Sequence, residues 1–201
     1  MFLFLGLYLQ VILQYSPVKA GFAFLPFSLG IIVGAGMASQ LLPRVGPKPL
    51  LVPGLIAGSF GLLMLTQVTT TSSYLTHVLP PMLIISIGMA FVFIPVSSTG
   101  LHGIGHHDAD VASAMINTSQ QVGGSLGTAL LNTVAVTTSA AYLTAHEAVG
   151  RAGTAVAPTE WYTRAFAVGA GFLFAAAVVA FFMLKVGKEA VVEDDALVHV
   201  G

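Results

Sequence analysis

The stretch that decides the fold runs from residue 108 to residue 138 and reads DADVASAMINTSQQVGGSLGTALLNTVAVTT. It is long enough to cross a bilayer as a helix, and it carries no charge after Asp110. On a helix that turns about 100° per residue, its polar and small side chains share one sector. The members of this sector are Ser113, Asn117, Gln121, Gly124, Ser125, Thr128 and Asn132.

An amide side chain in hydrocarbon is costly unless it meets a hydrogen-bonding partner or water. A stripe of amides therefore indicates that this face of the helix meets either a wet cavity or other helices. Amides do bind helices together in membranes, but this stripe is longer than one helix contact needs. Both alternatives stay open, and in each of them we expect the stripe to be turned away from lipid.

The composition indicates an integral membrane protein. Of the 201 residues, 56% are hydrophobic and only 7% are charged, whereas a soluble domain carries about 25% charged residues. So few charges cannot cover a water-exposed surface. The net charge of −1 argues against a nucleic-acid partner. The absence of cysteine excludes disulfides and thiolate chemistry.

The segments of apolar sequence predict an all-α fold, a bundle of six transmembrane helices over residues 1–184. The first segment is shorter than the roughly 20 residues that a crossing needs, so we expect the chain to begin inside a helix, as a fragment or truncated product. A long loop is expected from Ser139 to Glu160, and residues 185–201 are expected to form a solvated tail. The predicted spans are 1–13, 20–42, 50–68, 78–96, 111–137 and 161–184.

Glycines four residues apart in two of the spans predict close helix packing, because this spacing lets two backbones approach in lipid. These glycines are Gly30 and Gly34 in the second span, and Gly54 and Gly58 in the third.

Basic residues near the ends of the spans predict the orientation in the membrane. Arg44 and Lys48 lie in one short loop, and Lys185 and Lys188 directly follow the sixth span. We therefore expect both termini to be cytoplasmic. The opposite side carries Lys19, Arg151 and Arg164.

No catalytic motif is present, and we expect neither enzyme activity nor a cofactor. The segment from His102 to Asp110 holds three imidazoles and two carboxylates. We interpret it as a solvated loop whose Asp108 or Asp110 caps the next helix, and we predict no metal site. None of the spans carries Asp, Glu, Lys or His at its middle, so the chain has no evident proton-coupling group of its own.

Three motifs carry a resemblance to the major facilitator superfamily, in its branch of fourteen-helix drug–proton antiporters. The segment Tyr8 to Ala35 resembles the join between the seventh and eighth core helices. Arg44-Val45-Gly46-Pro47-Lys48 resembles the second copy of the superfamily's cytoplasmic loop motif, with Pro43 where an acid is usual. The matching residues of the first motif are Tyr8, Leu9, Gln10, Val11, Ser16, Pro17, Ala20 and Gly21, with Gln14 near the position of a usual Gly.

The third motif resembles the eleventh core helix of the same family. It consists of Ala112-Ser113-Ala114 followed by Asn117, Gln120, Gln121, Gly123, Gly124 and Gly127. The resemblance implies the C-terminal six-helix half of a multidrug-type exporter, driven by proton antiport in the cell membrane when joined to an N-terminal half. The last three glycines are then helix-packing positions. The alternative is a truncated membrane protein, or an assembly partner, that does not transport by itself.

In a superfamily transporter, two six-helix halves surround a cavity at the bilayer midplane. The resemblance implies that the first, second, fourth and fifth spans face this cavity. Aromatic, methionine and amide side chains without fixed charge suit bulky, amphipathic small molecules, with membrane lipid as the surrounding partner. The candidate cavity residues are Tyr8, Gln10, Gln14, Phe24, Phe27, Met89, Phe93, Asn117, Gln120 and Gln121.

Overall fold

The computed structural model describes residues 2–69, 72–101, 104–105, 108–145 and 150–183, and within these ranges it is helical apart from short turns, with no strand. The all-α prediction is confirmed for these residues. The elements are α1 (Phe2–Leu7), π1 (Tyr8–Ile12), α2 (Pro17–Ala23), α3 (Leu25–Val45), α4 (Lys48–Leu65), π2 (Tyr74–Val78), α5 (Leu79–Leu101), α6 (Ala109–Ala145) and α7 (Gly150–Met183), where π1 and π2 are single π-helical turns.

The second predicted span is divided at Phe24, which lies between α2 and α3. Pro17 stands in the first turn of α2, where its missing N–H would have no helical partner anyway. The Ser16 hydroxyl caps this turn by accepting a hydrogen bond from the Lys19 amide at 3.3 Å. Together, α2 and α3 form one apolar stretch, Pro17–Val45.

Glycines let α5 approach α3 and α4 closely. A Cβ on Gly54 would lie 2.8 Å from the Gly88 carbonyl oxygen, and one on Gly88 would lie 2.7 Å from the Gly54 carbonyl oxygen. On α3, a Cβ at Gly34 would lie 2.8 Å from a side chain of α5, and one at Gly30 would collide with the Ser86 hydroxyl. Close backbone packing matters here because lipid supplies no hydrophobic drive between helices.

A buried hydrogen bond joins α4 to α7. The Ser59 hydroxyl donates to the Ala170 carbonyl oxygen at 2.9 Å, and Ser59 is buried. Beside it, a Cβ on Gly58 would lie 3.1 Å from Cδ1 of Leu173. This bond gives the hydroxyl the partner that a dry environment demands.

The outer faces of the helices are apolar. Large side chains such as Ile32, Phe60 and Phe182 are exposed, with 68%, 56% and 73% of their surfaces accessible. An aqueous surface would not carry so many exposed apolar groups. Within the described ranges, four helical stretches are long and apolar enough to cross a membrane: Pro17–Val45, Lys48–Leu65, Tyr74–Leu101 and Thr163–Met183.

The connection expected as a long loop between residues 139 and 160 is helical where it is described. Residues 139–145 continue α6, and residues 150–160 form the start of α7. The segment is rich in alanine, which has the highest intrinsic helix propensity, so its small residues extend both helices. Residues 146–149 lie outside the described residues, as does the predicted tail from 185 to 201.

Candidate functional site

The polar stripe lies on α6, a helix of 37 residues. Its packing sector contains Ile116, whose Cδ1 would lie 2.6 Å from a Cβ on Gly100 of α5. Farther along, Leu131 approaches Gly169 of α7, with 3.9 Å between Cδ1 and a notional Cβ. Ile116 and Leu131 are therefore half-buried.

The stripe itself faces away from the described helices. Asn117, Gln121, Thr128 and Asn132 are all exposed. The Thr128 hydroxyl is satisfied within the helix, by donating to the Gly124 carbonyl oxygen at 2.8 Å. The Asn and Gln side chains of the stripe, by contrast, make no hydrogen bond to another described residue. Among the described residues, these amides therefore have no hydrogen-bonding partner.

A third sector of α6 is exposed and apolar. Val111, Met115, Val122 and Leu126 lie roughly opposite the stripe, and each has more than half of its surface accessible. The helix thus has one edge on the bundle, one face suited to lipid and one face suited to a polar environment. Such a three-way division fits a helix at the border between protein, bilayer and an aqueous cavity.

The candidate residues of the first span lie in and just after the π1 turn. Tyr8 is buried, and its hydroxyl donates to the Thr69 carbonyl oxygen at 2.8 Å. Gln10 and Gln14 are exposed. Gln14 has a positive φ of 54°, and its amide nitrogen donates to the Val11 carbonyl oxygen at 2.6 Å.

Of the four apolar candidates, two share a cavity. Phe27 and Met89 line a space of about 550 Å³ between α6 and the other helices, which we call the apolar chamber. Phe24 is half-buried beside α1, and Phe93 is exposed at the surface of α5. The remaining lining residues of the apolar chamber are Phe2, Leu62, Ile85, Gly123, Leu126, Gly127, Leu130, Leu131, Gly169, Phe172 and Leu173.

The loop motif ends α3 and begins α4. Gly46 has φ 81° and ψ 174°, a conformation open essentially to glycine alone, and its N–H donates to the Leu42 carbonyl oxygen at 2.9 Å. Arg44 is exposed. The Lys48 ammonium lies 4.6 Å from the centre of the Phe181 ring, which is a cation–π contact between α4 and α7.

The glycines predicted to pack helices fall into two groups. Gly30, Gly34, Gly54 and Gly58 all lie where a Cβ would meet a neighbouring helix within 3.1 Å. At Gly123, Gly124 and Gly127, by contrast, a Cβ would meet nothing within 4 Å among the described residues. These three glycines therefore make no close helix contact with the part of the chain that the structure describes.

Some contributors were not singled out from the sequence. Gly88 forms half of the close backbone crossing with Gly54, yet it has no second glycine four residues away to mark it. Ser59 and Ser86 are buried within helices and reach carbonyl oxygens at 2.9 and 2.8 Å. A lone serine or glycine in an apolar span is the only signal that could have found them.

The histidines at 102, 106 and 107 lie outside the described residues. Asp108 and Asp110 at the start of α6 are exposed, and the Asp108 carbonyl oxygen accepts the Ala112 amide at 3.0 Å. Among the residues that can be described, no group of histidines and acids is close enough to hold a metal ion.

Comparisons with known proteins agree with the motifs. A sequence model of the family described as Major Facilitator Superfamily matches residues 1–128. The chain is 43% identical over 193 residues to the puromycin resistance protein pur8 of Streptomyces alboniger, 37% identical over 132 residues to the cephamycin export protein CmcT of Amycolatopsis lactamdurans, and 30% identical over 167 residues to the lincomycin resistance protein LmrB of Listeria monocytogenes. The alignments cover 94%, 65% and 82% of this chain, but only 38%, 27% and 35% of the three relatives.

Proposed function

Because the chain belongs to the Major Facilitator Superfamily, a family of multi-pass membrane transporters rather than enzymes, we propose that it is the C-terminal six-helix half of a multidrug-type exporter. An N-terminal half completes the transporter in this proposal, and proton antiport drives the joined protein. The single observation that carries it is the exposed amide stripe of α6. The names of the relatives, which speak of drug resistance and export, support the choice of cargo class.

The stripe gains a physical role when a second half faces it. The amides of Asn117 and Gln121 then border the water-filled space between the halves, where they hydrogen-bond to water or to polar groups of the cargo. The apolar sector of the same helix stays in contact with lipid. Because the stripe holds no fixed charge, it suits amphipathic cargo of varied shape rather than one ion.

Proton coupling is assigned in this proposal to the N-terminal half. The four apolar stretches that can cross a membrane contain no Asp or Glu, and their Lys, Arg and His residues all lie near an end. Coupling needs an ionisable group within the membrane. We therefore expect the purified chain in proteoliposomes to show no substrate-dependent proton flux. A flux from the chain alone would overturn this part of the proposal.

The cavity assignment is tested by Gln121→Ala in the joined, full-length protein. Removing this amide takes away a hydrogen-bonding group that faces the cargo path, so we expect export of at least one amphipathic drug to fall several-fold at unchanged protein level. Thr133→Ala is the matched control, because Thr133 is exposed on the apolar sector and its hydroxyl donates to the Ala129 carbonyl oxygen at 2.9 Å. Unchanged resistance to every compound in the Gln121 variant would count against the assignment.

A further inference from the structure

We infer that the apolar chamber is a binding site for one hydrocarbon chain of a membrane lipid. The inference needs only that the protein is embedded in a bilayer, so it stands apart from the proposed export function. It concerns a different side of α6 from the amide stripe. It also gives Gly123 and Gly127 a role that helix packing does not supply.

The side chains that line the apolar chamber have no group that could hydrogen-bond to water. Its deepest side chains include Leu62 and Ile85, which are buried and belong to α4 and α5. Each enclosed water needs about two to four polar partners, and the lining side chains are all aliphatic, aromatic or thioether groups, with glycine between them. A volume of about 550 Å³ lies within the range of sites that hold small organic ligands.

Leaving such a space empty forfeits dispersion contacts along its whole wall. In a bilayer, the molecules at hand to restore these contacts are acyl chains. An acyl chain has no polar group along its length, so it matches the lining without leaving any donor or acceptor unpaired.

The rim of the apolar chamber adjoins the lipid-suited face of the protein. Leu126 and Leu130 of α6 line the chamber while 61% and 55% of their surfaces are accessible, and Phe172 of α7 does so with 52% accessible. Leu126 belongs to the apolar sector described above. A chain that lies along this face can therefore enter between α6 and α7 without crossing a polar surface.

The glycines of α6 keep the space open. Gly123 and Gly127 stand one turn apart on the chamber wall, and a Cβ at either meets nothing within 4 Å among the described residues. A larger side chain there would extend into the chamber rather than into a neighbouring helix. Replacing either glycine thus fills the proposed site while the described helix contacts stay intact.

The experiment uses the full chain in phosphatidylcholine vesicles that contain a phosphatidylcholine with a diazirine on its acyl chain. Illumination expels nitrogen from the diazirine and leaves a carbene, which inserts into nearby C–H bonds. Mass spectrometry then locates the adducts. We expect adducts at Leu62 and Ile85, which are buried and line the chamber. Phe182, exposed on α7, reports ordinary lipid contact in every sample.

Gly127→Leu is expected to lower labelling of Leu62 and Ile85 at least five-fold and to leave Phe182 unchanged. Gly124→Leu is the matched control: it has the same open surroundings and the same helix, but it is not on the chamber wall, so labelling should equal that of the wild type. If the leucine variant fails to fold, Gly127→Ala should give a smaller decrease in the same direction.

Three results would overturn the inference. The first is an absence of adducts at Leu62 and Ile85 in the wild type. The second is an equal decrease in the Gly124 and Gly127 variants. The third is loss of labelling on addition of tetraphenylphosphonium, a bulky lipophilic cation, which would assign the chamber to cargo instead of lipid.

Discussion

At the scale of single residues, Gln14 holds a backbone conformation that its own side chain disfavours. It is the one described residue other than glycine with a positive φ, at 54°. The left-handed region costs an L-residue about 1–2 kcal/mol, and the resemblance already marked this place as near a usual glycine. The family pattern and the backbone thus agree on what this position prefers.

Gln14→Gly is therefore expected to stabilise the protein by about 0.5–1 kcal/mol. The relief of left-handed strain exceeds the roughly 0.5–1 kcal/mol of extra chain entropy that glycine loses on folding, and the lost Gln14–Val11 hydrogen bond is exposed. Thermal unfolding of the purified protein in detergent measures the change. Gln10→Gly, in the right-handed π1 turn, should destabilise instead, and two shifts of the same sign would contradict this account.

Gly46 presents the opposite case, because its conformation at φ 81° already requires glycine. Gly46→Ala is expected to lower the free energy of unfolding by about 1–3 kcal/mol, because the turn between α3 and α4 must distort. The unfolding temperature should fall with it. Gly36→Ala serves as the control, because Gly36 lies within α3 with nothing within 4 Å of a Cβ. Equal losses in the two variants would show that the turn is not the cause.

At the scale of helices, the crossing of α4 and α5 depends on two glycines in reciprocal contact. Gly88→Val places methyl groups where the Gly54 carbonyl oxygen and the Gly58 amide nitrogen now stand, 2.7 and 3.0 Å from its Cβ. Backbone atoms cannot move aside as a flexible side chain can. We therefore expect the free energy of unfolding to fall by about 1–3 kcal/mol. Thermal unfolding of the detergent-solubilised variant measures this loss.

Gly36→Val is the comparison for this prediction, because it makes the same β-branched change in a helix with open space around it. Gly36→Val should lower the unfolding temperature far less than Gly88→Val does. If the Gly88 variant unfolds at the wild-type temperature, α4 and α5 do not cross as described.

At the scale of the whole molecule, the orientation in the membrane is open to a direct test because the chain has no cysteine. Val45 and Ser73 are exposed at opposite ends of the bundle. In intact cells, a membrane-impermeant maleimide is expected to label Ser73→Cys and to spare Val45→Cys, because the basic residues Arg44 and Lys48 predict a cytoplasmic loop. Permeabilised cells, in which both must react, are the control, and the reverse pattern in intact cells would overturn the predicted topology.

Much of the architecture could be predicted from the sequence because its causes are local. Apolar runs, a Gly-x-x-x-Gly spacing and the proline at the start of α2 each act through the residues that carry them. The crossing at Gly88 could not be predicted, because only the partner helix reveals why that glycine is needed. The prediction of a loop between residues 139 and 160 was wrong for a different reason. The small residues there suggested a loop, but alanine favours a helix.

The candidate site also has one part that could be predicted from the sequence and one part that could not. The amide stripe of α6 followed from helical periodicity, and the structure places it on an exposed face. The roles of its residues remain predictions, because none of the described residues packs against that face. The apolar chamber was invisible in the sequence, since its lining comes from six helices and each contributes ordinary leucine, isoleucine or phenylalanine.

The hydrogen bond from Ser59 to the Ala170 carbonyl, buried between α4 and α7, has a consequence for motion. A dry bond of this kind resists sliding, because displacement along the helix axes breaks it and removes the Ser59 hydroxyl from its acceptor on the neighbouring helix. In the proposed transporter, the two helices should therefore move together as one rigid unit between the inward and outward states. Transport by that protein should then survive a covalent cross-link between α4 and α7. Any bending of helices during its cycle should occur in other parts of the bundle.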